Sequence, residues 1–433
     1  MSAPELRRLV ASAQAERIPS VAAAVVRNGE VVYADAVGIA EPGRAATPDD
    51  QYRIGSISKT FCAAAVMQLR DAGALALDDP LTAYVPESAE GPTIRRLLSH
   101  SAGLEREPKG DIWETLKPPT RDEFLAQLPD IENVLEPGRR YHYSNLAFAL
   151  LGELVRRLSG MPFEDYADER ILGPLGMSRT TWGAVAPYAK GYLVDPYDER
   201  LRPESDMEAG ATQSVGGLWS TVGDLARWAA FLADPDPAVL KPETVDEMAS
   251  VQVMADPGWK LGYGLGLQLF RDGDRIYAGH GGAMPGFLAG LAVVRADRAG
   301  AAVLTNTSAG AKPESLAMKL AARSLELDPP APARWLPQEE APEPLRPLLG
   351  RWWSEGHEFV FFCRDGRLHA RLDPPVATVE TAVFEPAGGD RFRTVAGRED
   401  GEWLRVVRDE QGAVTKLYWA TYAFTRDPQV FGA

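Results

Sequence analysis

Tyr52-Arg53-Ile54-Gly55-Ser56-Ile57-Ser58-Lys59-Thr60-Phe61 passes from an extended apolar segment into a helix, with a serine at the junction. Three residues of helix bring two side chains onto one face, about 5–6 Å apart at Cβ, so an ammonium on Lys59 can reach the hydroxyl of Ser56. The spacing reads as a nucleophile and its proton partner. It reads equally as an ordinary helix start, because serine caps helices and lysine is common on them. The rest of the chain decides between the two.

Beyond Ser56 the apolar positions Ala63, Val66, Met67 and Leu69 lead to Gly73, a natural C′ residue, and they occupy most faces of the helix, which predicts burial at the centre of the fold. Upstream, Ser2 with Glu5 resembles a capping box, and Leu6, Leu9, Val10 and Ala13 follow at helical spacing. The period then changes. Residues 20–27 and 30–37 are β-rich runs joined by Asn28-Gly29, both tolerant of positive φ, which is a strong hairpin signal. A helix followed by a hairpin suggests a helix lying on an antiparallel sheet.

Downstream, the patterning predicts a short helix ending in a tight loop within 93–104, a helix opened by Thr120 and Glu123, and a helix over 145–159 stopped by Gly160. Further helices are expected near 162–172, from Thr221 and Asp224 onward, near 243–250, and over 311–325. Strands are expected over 261–271, 275–279, 286–294 and 301–306. The proline-dense stretch 329–347 reads as a semi-rigid linker. After it come aromatic and β-branched runs at 359–362, 368–372, 391–395, 403–408 and 415–424, with Asp365-Gly366 as a turn, which suggest a small antiparallel barrel. The expected fold is therefore α/β in the α+β sense. An antiparallel sheet is flanked by helices with a helical subdomain (1–328), and a linker (329–347) leads to a C-terminal antiparallel β-barrel (348–433).

The chain has 433 residues, 45% of them hydrophobic, so a large core can be built, and its formal net charge of −15 argues against nucleic-acid or anionic-membrane partners. Its two cysteines, Cys62 and Cys363, make a disulfide framework implausible and read as small core residues. The start Met1-Ser2-Ala3-Pro4-Glu5-Leu6 lacks a basic segment followed by an apolar run, which leads to the expectation of a cytoplasmic protein. No metal-ligand spacing and no cofactor motif appears. Oligomeric state is left open.

Three motifs occur in one order: Ser56-Ile57-Ser58-Lys59, Tyr143-Ser144-Asn145 and His280-Gly281-Gly282. Together with Leu97-Leu98-Ser99-His100-Ser101-Ala102-Gly103-Leu104 and the run from Gly279 to Phe287, they resemble the serine β-lactamase and penicillin-binding-protein superfamily. The similar branch is that of class C β-lactamases, D-aminopeptidases and related esterases. The resemblance covers roughly residues 1–328. It implies Ser56 as nucleophile, Lys59 as its cationic neighbour, Tyr143 as general base, and Asn145 as a partner for the substrate amide and Lys59. It also implies an oxyanion hole from the backbone N–H groups of Ser56 and Ala283, with Gly281 and Gly282 flanking the substrate. A phenol accepts the serine proton efficiently only if cations stabilise phenolate or the proton moves in concert through Lys59.

One departure is chemical. His280-Gly281-Gly282 stands where β-lactamases usually have Lys-Thr-Gly or Lys-Ser-Gly, which removes a permanent cation and a hydroxyl from the place where a β-lactam carboxylate is gripped. Histidine there can still donate a hydrogen bond to Tyr143 or to substrate. The exchange argues against efficient β-lactam hydrolysis and resembles D-aminopeptidases, carboxylesterases and peptide-releasing thioesterases, branches that often end in a lipocalin-like barrel.

Trp219 is a candidate for lining the acyl pocket, with a core role as its alternative. His100, His142, His357 and His369 read as structural, and Gly262-Tyr263-Gly264-Leu265-Gly266 as close backbone packing. The expected function is a serine hydrolase forming a Ser56 acyl-enzyme from a small-molecule or peptide ester or amide. A thioesterase or peptide cyclase using an amine acceptor, and an acyl-binding sensor, are the alternatives.

Overall fold

In the computed structural model, which describes residues 3–88, 92–329, 331, 334–337 and 339–430, Asn28 and Gly29 turn the chain with φ of 51° and 83°. The strands on either side, Ser20–Arg27 and Glu30–Glu41, pair antiparallel. The hairpin lies near one end of a nine-stranded antiparallel sheet. Its order runs Arg44–Ala45, Glu30–Glu41, Ser20–Arg27, Ala299–Thr305, Phe287–Val294, Arg275–Met284, Gln268–Asp272, Leu261–Tyr263 and Val253–Met254. Every residue of Ser20–Arg27 is buried, because both faces of the sheet are covered. Val21, Ala23 and Val25 pack with Leu6 and Val10 of the opening helix Ala3–Gln14 and with Leu316 and Leu320 of Pro313–Leu327. Ala22, Ala24 and Val26 face the opposite cluster, which contains the helices Ser58–Asp71, Asn145–Ser159 and Val222–Ala233.

Local signals set the helix ends. Thr120 and Glu123 form the full capping box of Arg121–Gln127, Thr221 caps Val222–Ala233, and Gly160 ends Asn145–Ser159 with φ of 74°. Ser2, half of the first expected capping box, lies outside the described residues, as do Pro330, Pro332, Ala333 and Gln338 of the proline-dense stretch. The expected strand over 261–271 is two strands separated by a turn at 264–266. The strand expected to stop at residue 279 continues to Met284. Its glycines look like breakers in sequence, yet Gly279, Gly281 and Gly282 are positions where a Cβ would collide with Leu291, Glu314 and Ile54.

The chain divides into two compact units, Met1–Pro330 and Ala331–Ala433. The second is an eight-stranded antiparallel meander, and backbone hydrogen bonds between Trp353 and Thr425, 2.8 and 3.0 Å long, nearly close it into a barrel. Two of its strands, Gly350–Ser354 and Ala382–Pro386, were not anticipated, and the run over 415–424 is two strands, Val414–Trp419 and Tyr422–Phe424. Trp352, Phe359, Phe361, Phe384, Trp419 and Phe424 fill its interior. The remaining space at one end is about 100 Å³. No described helix in either unit is long and apolar enough to cross a membrane.

Candidate active site

Ser56 lies in a 3-10 turn, Gly55–Ile57, that feeds directly into the helix Ser58–Asp71. Gly55 has φ of 51°, and a Cβ there would sit 2.7 Å from the Ala283 nitrogen. Gly282 approaches Ile54 so closely that any side chain would strike the Ile54 carbonyl oxygen. These two glycines let the strand Arg275–Met284 press its backbone against the serine turn. The main chain of Ala283 and that of Ser56 are thereby neighbours, as an oxyanion hole of two N–H groups requires.

Lys59 is 0% exposed; its Nζ donates to Ser56 Oγ at 3.0 Å and to the Val215 carbonyl at 3.1 Å. Burial pushes its pKa down to about 7, against the pull of Glu107. Tyr143 moves the other way. Burial raises its phenol, and the hydrogen bond with Ser56 offsets only part of that rise. The Lys59 ammonium and the Arg106 guanidinium each lie 5.1 Å from the Tyr143 ring centroid, yet they do not bring the phenol into the neutral range.

Asn145 does not bond Lys59. Its Nδ2 donates to Glu107 at 2.7 Å, and its Oδ1 is buried without a partner. Nor does His280 bond Tyr143. A carbonyl can only accept, so Nδ1–H donates to the Gly281 oxygen at 2.5 Å, which assigns the tautomer and leaves Nε2 to accept from the Tyr263 hydroxyl at 2.8 Å. Burial first, and Lys59 second, push the imidazole down to about 3, so it is neutral. Trp219 does not line the cavity. It is 5% exposed, paired through its strand with Arg53, whose guanidinium lies 5.0 Å from its ring, and packed edge-on against Tyr188 and Phe287.

The cavity in front of Ser56 has a volume of about 540 Å³; Tyr143, Asn145, His280, Gly281, Gly282 and Ala283 all reach its wall. His100 sits behind Tyr143 with ring centroids 4.2 Å apart, and its Nδ1 accepts the Ser144 N–H at 3.1 Å, so it positions that segment. His142 donates its backbone N–H to the His100 carbonyl, His357 is exposed, and His369 stacks on Phe362. Sequence reasoning passed over Tyr263, Arg106, Glu107 and Glu314. An aromatic between two glycines was the available signal for Tyr263, and two charges just after Leu104 were the signal for Arg106 and Glu107. Glu314 looked like an ordinary first-turn acid of its helix. Among the described residues, no three or more His, Cys, Asp or Glu side chains form a metal-holding group.

The beta-lactamase family model matches residues 6–326, and a model described as a domain of unknown function matches residues 341–426. Esterase EstB of Burkholderia gladioli is 31% identical, covering 57% of this chain and 75% of its own. A D-aminopeptidase of Brucella anthropi is 27% identical, covering 90% and 74%. Against other curated relatives the chain spans about half of the relative's own length, 54% and 55%. Among solved structures, an octameric penicillin-binding protein homologue from Pyrococcus abyssi superposes with a TM-score of 0.67 at 27% identity, over 98% of this chain and 100% of that one.

Proposed function

The chain belongs to the beta-lactamase family, and on that premise we propose that it is a serine hydrolase cleaving an ester or amide through an acyl group held on Ser56. One observation supports this above the rest: wholly buried Lys59, with a pKa near 7, lies 3.0 Å from the Ser56 hydroxyl. At neutral pH a large share of Lys59 is free amine, a competent proton acceptor. That an esterase and a D-aminopeptidase are among the relatives keeps both ester and amide in the proposal.

In the proposed sequence, Ser56 Oγ bonds the carbonyl carbon as its proton passes to Lys59 Nζ. The carbonyl electron pair moves onto oxygen, where the N–H groups of Ser56 and Ala283 receive it. That pair then re-forms the C=O bond, the bond to the leaving group breaks, and the departing atom takes the proton from Lys59, directly or through the Tyr143 hydroxyl. Water adds to the acyl carbon in the same way, gives its proton to Lys59, and Ser56 leaves with that proton as the carboxylic acid is released.

The test offers p-nitrophenyl butyrate, a D-alanyl anilide, a chromogenic cephalosporin and a peptidyl thioester to the native protein and to Ser56→Ala, with intact mass recorded. Ser56→Ala is expected to lose at least ~10⁴-fold in turnover with its circular dichroism unchanged. Full turnover in that variant rejects the mechanism. A cyclic product transfers the reading to an amine-accepting thioesterase, and a stable adduct without turnover to a sensor.

A further inference from the structure

The position that grips an anion in the similar β-lactamases is occupied here by opposite chemistry. Gly281 has no Cβ, and one placed there would collide with the Glu314 carboxylate, so that carboxylate lies directly against the strand at residue 281. It reaches the cavity from the first turn of the helix Pro313–Leu327. Apart from its own backbone N–H it has no hydrogen-bond or ion-pair partner among the described residues. The other charges are committed or peripheral. Arg106 pairs with Glu107 at 3.7 Å, Glu107 also holds Asn145, Lys59 is turned to Ser56, and Glu208 is exposed. A second group waits for a donor, since Asn145 is only 7% exposed and its Oδ1, in the same wall, is unpartnered.

Proton traffic decides which part of a substrate meets Glu314. The departing atom must take its proton from Lys59 or Tyr143, so the leaving group lies on the side of the carbonyl that faces Tyr143 and His280. Because successive strand residues face opposite ways, residue 281 shares the face of Ala283, two residues or about 7 Å along the strand, and its Cβ direction is the one that meets Glu314. A cation two or three bonds beyond the departing atom spans that gap.

Resting on the Ser56 acyl-enzyme reading, we propose that Glu314 makes the leaving-group subsite cation-selective, so that the enzyme prefers esters or amides whose departing part bears an ammonium. Burial raises the Glu314 carboxyl pKa, so an arriving cation relieves a charge that the fold leaves unpaired.

The test compares three acetate esters on the full chain: the choline ester, its uncharged isostere 3,3-dimethylbutyl acetate, and 3-acetoxypropanoate. We expect kcat/KM to favour the choline ester over the isostere by about 10-fold or more, with the anionic ester slowest. Glu314→Gln should bring the first ratio close to one while turnover of the isostere stays within about 3-fold. Choline should also inhibit hydrolysis of p-nitrophenyl butyrate more tightly than 3,3-dimethylbutanol in the native protein, and equally in Glu314→Gln. Equal ratios in native protein and variant, with Ser56-dependent turnover, overturn the inference and leave the acyl-enzyme reading standing. Turnover that survives Ser56→Ala, or none with any of these esters or with the D-alanyl anilide, removes that reading and the inference together.

Discussion

Trp419 in the barrel and Asn145 in the cavity wall are both buried, yet they end differently. The Trp419 indole donates to Thr394 Oγ1 at 2.9 Å and packs among Phe359, Phe384 and Phe424, with centroids 5.1–6.3 Å apart. Trp352 likewise donates to the Leu348 carbonyl. Asn145 Oδ1 has no donor, Glu314 has no cation, and Lys59 is held without solvent beside a neutral hydroxyl. A buried polar atom left unpaired costs about 1–3 kcal/mol. Asn145 and Glu314 carry such costs in the wall of one cavity, where a substrate can repay them, while the two barrel indoles are packed and satisfied. Their difference is one of purpose, visible in which atoms are satisfied.

The contrast is broken most severely at Lys59. Lys59→Met should lower turnover by about 10²–10⁴-fold and yet raise the thermal midpoint, by about 2–4 °C for each kcal/mol relieved. The sign follows from linkage. The native pKa is near 7 and the ordinary value 10.5, so between them the unfolded chain binds more protons and stability rises with pH. The burden is full below pH 7, where Lys59→Met gains most. The native kcat/KM should show an acidic limb near pH 7, because only the free amine accepts the serine proton. A flat profile, or a variant less stable than native at pH 7 by calorimetry, would contradict this.

In the barrel one substitution should act in the opposite sense. Trp419→Ala is expected to destabilise that unit by about 3–5 kcal/mol, and Trp419→Phe by about 1 kcal/mol or somewhat more for the lost hydrogen bond to Thr394. Denaturant titration followed by tryptophan fluorescence reads both, and a Trp419→Phe stability equal to the native one would show that the indole N–H contributes nothing.

A further pair of substitutions separates two adjacent glycines. Gly282→Ala drives a methyl into the Ile54 carbonyl, a backbone atom that cannot step aside, so the oxyanion strand shifts and kcat should fall about 10²–10³-fold. Gly281→Ala meets only the end of the Glu314 side chain, which can swing away, and should cost less than about 10-fold. Steady-state kinetics on p-nitrophenyl butyrate would expose a reversed order.

Legibility in the sequence followed the range of the interaction. The Asn28-Gly29 turn, the Thr120–Glu123 capping box and the Gly160 stop are settled within a few residues, and each appears where its local signal stands. The strand through Gly279, Gly281 and Gly282 was cut short because glycine reads as a breaker. Here it answers to Leu291, Glu314 and Ile54, which no local window contains. The same holds for Tyr263 with His280, 17 residues away, and for Glu314 beside Gly281. Trp219 stood between the pocket and the core in the sequence, and its pairing with Arg53 turns it into the core. Gly350–Ser354 and Ala382–Pro386 are short strands whose neighbours complete the barrel, a closure visible only in three dimensions.

The burial of Lys59 has a thermal consequence. A pH limb near 7 is ordinarily ascribed to imidazole, but His280 has both nitrogens occupied and is neutral down to about pH 3. A limb at that pH would therefore report the Lys59 ammonium, whose dissociation absorbs more heat than that of an imidazolium. Warming should slide the working range of this site toward lower pH more steeply than in a histidine-based hydrolase, so that its optimum is a property of temperature as much as of acidity.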